Sequence, residues 1–239
     1  MIPALVFDIE TAGEVWEGLD DTTQEALTKW IYKGGREESA QEALLEGVRE
    51  GLGFSPFTGE VVALGVLDSE KDQGAVYYQD APREDVEGEE DSGIVFRIKS
   101  EKEMLEQFWT LAEHYDVFVS FNGRAFDVPF LLIRSLVHGI TPTKDLMANR
   151  YLSSQPRSAR HIDLADQLTF YSATRQRPSL HIACRAFGIE SPKDDMAGED
   201  VAQAFRDGKG REIAEYNMRD IVATRALYRK TIPLFERFV

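Results

Sequence analysis

The sequence predicts one α/β domain built on a central mixed β-sheet of about five strands flanked by helices. Three observations predict it. Short apolar runs rich in β-branched and aromatic residues recur at 3–10, 59–68, 74–80 and 116–122 and read as strands. Segments with apolar residues at helical spacing follow, most of them in the second half of the chain. The first three strands also stand close enough together to pair as antiparallel hairpins.

PALVFDIE (3–10) is a short, almost wholly apolar run, so it reads as a buried strand. Residues 13–53 form a helical insertion with two helix-like patterns, 22–32 and 38–49, separated by Gly34-Gly35. The runs 59–68 and 74–80 are the second and third strands. Residues 81–93 read as an acidic, solvated loop with Pro82, Gly88 and Gly93. IVFRIKS (94–100) is a short extended piece. A helix at 101–115 has Ser100 as N-cap, Glu103 completing a capping box, and an apolar stripe of Met104, Leu105, Phe108, Leu111 and Ala112. A strand at 116–122 and a helix at 128–138 follow, with Pro129 in the first turn, where proline is tolerated. Residues 141–160 look like an irregular excursion. Helices at 180–187, 199–206 and 211–229 close the chain.

The chain of 239 residues is long enough to bury a core without staples. Its one cysteine, Cys184, excludes an intrachain disulfide and fits a reducing cytoplasm. It is expected to lie in a helix as a small core residue, and Trp16, Trp30 and Trp109 are expected in the core. No apolar run approaches the ~20 residues of a membrane span. The start MIPALVFDIET lacks the basic region of a signal peptide, so a cytoplasmic protein with no membrane contact is expected.

Net charge is −15, which argues against broad coating of nucleic acid, because that affinity comes from Lys and Arg. It is compatible with an enzyme that takes one strand end into a small site where cations supply positive charge. The charge is uneven. Residues 84–91 hold six acids in eight positions, whereas 141–190 carry seven basic residues against four acidic ones. In that basic stretch Arg157, Arg160, Arg175 and Arg177 interleave with Tyr151, Phe170 and Tyr171, a pattern suited to tracking phosphates and stacking bases, or to a solvated face over core aromatics.

Three short patterns carry the chemistry. Asp8 and Glu10, two apart on a strand, point to one face, and like charges held close are costly unless a cation sits between them. Asp127 follows a strand and Asn122-Gly123, at the start of a helix, where ligand crevices of α/β sheets lie. Tyr216 and Asp220, four apart, share one helix face. Each has an ordinary alternative: a solvated strand end, a helix N-cap, and an amphipathic tyrosine beside a solvated aspartate.

The three together, in this order, resemble the DnaQ-like superfamily of proofreading exonucleases, the DEDD class in its tyrosine subtype (DEDDy). FNGRAFDVPFL (121–131) looks like the exonuclease domains of B-family DNA polymerases, and 161–201 is similar to the matching segment of bacterial stand-alone exonucleases related to them. The resemblance covers most of 3–229 and implies an RNase H-like fold and one exonuclease domain over 1–239. It implies a 3′→5′ exonuclease that releases 5′-mononucleotides from single-stranded nucleic acid, DNA favoured, with DNA repair as a setting. Two divalent cations, Mg²⁺ or Mn²⁺, are implied, as hard oxygen ligands prefer. Asp8 would bridge the ions, Glu10 and Asp220 would help hold the one beside the nucleophile, Asp127 would support the second, and Tyr216 would orient the water. Asn122, Phe126, Arg175, Arg177 and Lys193 are expected to contact the strand. His161 and His181 are expected to be structural. A proofreading role would need a separate polymerase or repair partner. The alternatives are an RNA-trimming exoribonuclease and an inert nucleic-acid-binding module on the same fold.

Overall fold

A computed structural model of the chain describes residues 3–33, 35, 37–80, 90–91, 93–190 and 198–235. Seven strands form one mixed sheet: β1 (Ala4–Gly13), β2 (Gly59–Asp68), β3 (Gly74–Tyr78), β4 (Glu90–Asp91), β5 (Ile94–Ile98), β6 (Val117–Ser120) and β7 (Arg160–Asp163), in the order β4-β5-β3-β2-β1-β6-β7. The β1, β2 and β3 strands pair antiparallel, as their spacing predicts, while β6 joins β1 and β7 joins β6 in parallel. The sheet exceeds the expected five strands by two short pieces. The two-residue β4 lies inside the expected acidic loop, whose residues 81–89 and 92 fall outside the described residues. The four-residue β7 follows the 141–160 excursion and is too short for a periodic signal.

Eight helices are described: α1 (Asp21–Thr28), α2 (Glu38–Glu50), α3 (Glu101–Ala112), α4 (Asp127–Val137), α5 (Leu164–Leu168), α6 (Leu180–Ala186), α7 (Val201–Arg206) and α8 (Gly210–Phe235). The capping box of α3 forms as expected, with Ser100 Oγ accepting from Glu103 N. The period-two alternation of β1 divides the core between the two faces of the sheet. Leu5, Phe7 and Ile9 share one cluster with Phe108 and Trp109 of α3 and Leu131 of α4. Ala4 and Val6 share the other with Ala183 of α6, Val201 of α7 and Ile213, Ile221 and Leu227 of α8. Asp8 and Glu10 continue this second set, so the alternation sends both carboxylates toward α8.

A buried carboxylate ties the opposite layer together. Glu101, at the start of α3, accepts from Val61 N of β2 at 2.8 Å and from Arg134 Nε and Nη2 of α4 at 2.9 and 2.7 Å. The insertion docks through its foot. Thr11 Oγ1 donates to Gly53 O at 2.7 Å, and a Cβ on Gly13 would come within 2.7 Å of Gly53 N, so β1 can approach this turn only as glycine. Cys184 and Trp109 are buried as expected, but Trp30 is 46% exposed. The reason is that α1 ends at Thr28, two residues before Trp30, so the expected helix 22–32 does not reach it. Among the described residues no helix is long and apolar enough to cross a membrane.

Candidate active site

Three elements converge where β1 passes under α8. Asp8 and Glu10 come from β1 and Asp220 from α8. One carboxylate oxygen of each lies within 4.8 Å of the others. Tyr216 is half-buried one turn before Asp220. Asp127 comes from the far side. It is the first residue of α4 rather than its N-cap, which is Phe126, so the capping explanation does not apply. Its Oδ1 instead accepts from Ile9 N, between Asp8 and Glu10, at 3.2 Å. Asp8, Glu10 and Asp220 are thus brought together, and Asp127 is anchored to the β1 backbone between the first two.

The turn ahead of Asp127 is held by Asn122, Gly123 and a residue that carried no signal of its own, Asp163. Asn122 has φ 66°, a left-handed conformation that asparagine tolerates better than most residues. A Cβ on Gly123 would collide with Ser120 Oγ. Asp163, 1% exposed, accepts from Asn122 N and Arg124 N at 3.0 Å each, and from Ala165 N and Asp166 N at 3.0 and 3.3 Å. One carboxylate thus fixes the turn and starts α5.

The electrostatics are those of an acid cluster out of water. The Asp8 carboxyl is held well above its ordinary value by burial, then by Asp127, Glu10 and Asp220. Glu10 is raised by burial and by Asp220, against a hydrogen bond from Asn217 that favours its charge. Asp127 is pushed up to about 7, burial being the largest cause. Among the described residues no lysine or arginine pairs with Asp8, Glu10 or Asp127. A partly buried, all-carboxylate donor set fits a hard divalent cation.

His161 is 1% exposed and its pKa is pushed down to about 3, mainly by burial. Nε2 lies 2.8 Å from Ser120 Oγ and Nδ1 3.3 Å from Leu146 O, so the neutral ring donates from Nδ1 to the carbonyl and accepts the serine proton. A group whose folded pKa is lowered from 6.5 to about 3 binds a proton only on unfolding, so this part of the stability is present above about pH 6.5 and is lost as pH falls through that window. His161→Gln is expected to narrow the difference between thermal midpoints at pH 7 and pH 4.5. An unchanged difference would show that the buried ring contributes nothing to acid lability.

The expected strand contacts are more scattered. Phe126 is half-buried, 5.1 Å from the Phe130 ring and 6.4 Å from the ring of Phe54, the residue just after the insertion. Arg177 is spoken for by Asp166 at 3.2 Å and Asp163 at 3.6 Å. Arg175 is exposed, and Asn122 Oδ1 is buried with no hydrogen-bond partner. Lys193 lies outside the described residues. Tyr151, Phe170 and Tyr171 line a cavity of about 430 Å³ with Gln167 and Phe235. Phe170, Tyr171 and Ser172 all have positive φ (50°, 57° and 76°), a costly run for residues with a Cβ, and Phe170 stands 57% exposed.

Residues 80–238 match the family described as "Predicted 3'-5' exonuclease related to the exonuclease domain of PolB", and 2–150 match "DNA polymerase family B, exonuclease domain". A DNA polymerase of Pyrococcus glycovorans is 28% identical over 151 residues, covering 57% of this chain and 19% of the polymerase. One of a Desulfurococcus species is 27% identical over 160 residues, covering 60% and 20%. The chain thus spans about one fifth of the polymerases it matches. An uncharacterised protein of Methanocaldococcus jannaschii is 26% identical over 190 residues, covering 75% of this chain and 90% of that protein. Among solved structures, the family B DNA polymerase of Pyrobaculum calidifontis shares the fold, with a TM-score of 0.57 at 17% identity over 98% of this chain and 25% of the polymerase.

Proposed function

This chain belongs to the 3′-5′ exonucleases related to the exonuclease domain of PolB, and from that premise we propose that it hydrolyses the terminal phosphodiester of single-stranded DNA at a free 3′ end, releasing 5′-mononucleotides. The observation that carries the reading is the convergence of Asp8, Glu10 and Asp220 within 4.8 Å, with Asp127 bonded to the β1 backbone at Ile9 N. Asp8, Glu10, Asp127 and Asp220 would hold two divalent cations, Mg²⁺ or Mn²⁺. Such ions, when bound, polarise the phosphoryl oxygens and make water a nucleophile near neutral pH.

The chain's own groups do the rest. Tyr216 orients the attacking water through its phenol, as a hydrogen-bonding partner. Burial shields Glu10 and Asp127 from bulk water while Asp8 and Asp220 stay partly accessible, and the Asp163-bound turn holds Asp127 in place. Asn122, whose Oδ1 lacks a partner, accepts a hydrogen bond from the strand end. Phe126, with Phe54 beside it, gives the terminal base an aromatic edge to stack on. A separate polymerase or repair factor would supply the strand ends.

Phe54 is 59% exposed, so removing its ring should leave the fold intact. Phe54→Ala is expected to raise KM for single strands about five- to twentyfold with kcat within about twofold, since a base stacked on an aromatic ring contributes roughly 1–3 kcal/mol. An unchanged KM in steady-state kinetics would remove Phe54 from the strand site.

The activity itself is tested with single-stranded DNA and RNA labelled at either end, incubated with Mg²⁺, Mn²⁺ or chelator. The expected result is a ladder shortening from the 3′ side on DNA, absent with chelator and with Asp220→Ala. Shortening from the 5′ side, or cleavage that survives chelation, would end the proposal; faster trimming of RNA would move the substrate to RNA.

A further inference from the structure

The helix that brings Tyr216 and Asp220 to the site also brings a residue that no motif singles out. Asn217 is fully buried, with 0% exposure, in the third turn of α8. Its Nδ2 donates to Asp8 Oδ2 at 2.9 Å and reaches Glu10 Oε1 at 3.5 Å. An amide nitrogen has two N–H donors and no lone pair to offer, so facing two carboxylates is the orientation its chemistry allows. The other end agrees. Asn217 Oδ1 is buried with no hydrogen-bond partner and faces Gly65 of β2, whose Cβ, were there one, would collide with it and lie 3.0 Å from Ile221 Cγ2. Gly65 is also the residue paired with Asp8 across β1 and β2. The sheet therefore omits a side chain at the point where Asn217 enters, directly opposite the aspartate it binds.

We propose that Asn217 is a positioning residue for the cation site: its amide bridges Asp8 and Glu10, takes one oxygen of each, and leaves Asp8 Oδ1 and Glu10 Oε2 for a divalent ion. The proposal rests on the reading of the site as a cation-dependent exonuclease and extends it to a residue outside the acid-and-tyrosine set. Two carboxylates two residues apart on a strand repel one another and would otherwise rotate apart. A neutral donor between them fixes their side chains without adding a charge that would compete with the ion. Lysine or arginine there would neutralise the acids; aspartate would add a further carboxylate. Groups that orient metal ligands in this way commonly account for ten- to hundredfold in affinity or activity.

The test is direct Mn²⁺ binding to metal-free protein by titration calorimetry, without nucleic acid, for wild type, Asn217→Leu and Gly65→Ala, with kcat, KM and thermal midpoint in chelator measured alongside. Leucine keeps the branching and heavy-atom count and removes the donors; alanine at 65 keeps Asn217 and displaces its side chain. Both variants are expected to bind Mn²⁺ about ten- to hundredfold more weakly and to lose kcat to a similar degree, with KM for the strand within about threefold. Asn217→Ser, smaller and still polar, gives the same comparison if leucine prevents folding. Wild-type Mn²⁺ affinity in folded Asn217→Leu or Asn217→Ser would overturn the proposal, as would variants whose only change is a lower thermal midpoint. Inactive wild type that still binds Mn²⁺ more tightly than the variants would count against the exonuclease reading and leave this one standing.

Discussion

Asp8→Asn is expected to abolish 3′-end hydrolysis, with a loss of at least a thousandfold in kcat/KM, while making the metal-free protein more stable. The catalytic half follows from position. Asp8 stands at the centre of the cluster: Asn217 donates to it, one of its oxygens lies within 4.8 Å of those of Glu10 and Asp220, and the charge of Asp127 acts on it. A thousandfold is about 4 kcal/mol of barrier, a reasonable amount for an interaction shared by all the ligands. The stability half follows from the carboxyls' raised pKa values. The folded protein holds protons on Asp8, Glu10 and Asp127 that the unfolded chain releases near pH 4, and for Asp127 the shift is from 3.8 to about 7. Fewer protons are bound on unfolding, so metal-free stability falls as pH rises from about 4 to about 7. Removing one of the mutually repelling charges relieves part of that cost, roughly 1–2 kcal/mol, or a rise of a few degrees in thermal midpoint for a chain of this size. Calorimetry in chelator at pH 5 and pH 8 checks it: the gain for Asp8→Asn should be larger at pH 8. A gain that is larger at pH 5, or a loss at both, would contradict the electrostatic account of the site.

The second large effect is expected away from the carboxylate cluster. Asp163→Ala removes the acceptor of four backbone N–H groups, those of Asn122, Arg124, Ala165 and Asp166, at a position 1% exposed. Buried donors left unpaired cost more than the bonds contributed, so a loss of about 3 kcal/mol is expected, or roughly 6–12 °C in thermal midpoint. The turn it releases leads directly into Asp127, so kcat should fall at least tenfold at temperatures where the variant is folded. Arg177 would lose its longer contact, at 3.6 Å, and keep Asp166 at 3.2 Å. A variant with the midpoint of wild type and full kcat would show that the turn holds its shape without Asp163.

The first strand, the β2–β3 pair and the long last helix were legible because each is long enough to state its period: β1 alternates between the two core clusters, and α8 carries apolar residues from Ile213 to Phe235. Strand and helix periodicity put Asp8 with Glu10, and Tyr216 with Asp220, on shared faces, and the resemblance of the three patterns in order is what grouped them with Asp127. What stayed hidden is what depends on contacts across the chain. Asp163 and Asn122 are 41 residues apart, and Asn217 and Asp8 are 209 apart, so neither bond leaves a local pattern. Gly65 looks like any glycine in a strand until α8 is laid across it. Asp127 has the place of a helix cap in the sequence, and only its bond to Ile9 N shows what its carboxylate faces. Arg177 looks available to a phosphate on charge alone, and the structure gives it to Asp166.

The account depends on acids from β1, the turn before α4 and α8 holding hard cations between them. A crystal structure of the protein with Mn²⁺, read at the manganese absorption edge, tests this most directly. Anomalous peaks bounded by Asp8, Glu10, Asp127 and Asp220, with oxygens at about 2.1 Å from each ion, are predicted. Manganese bound elsewhere while those four carboxyls remain protonated and bonded to one another, in a protein that still trims 3′ ends, would contradict it.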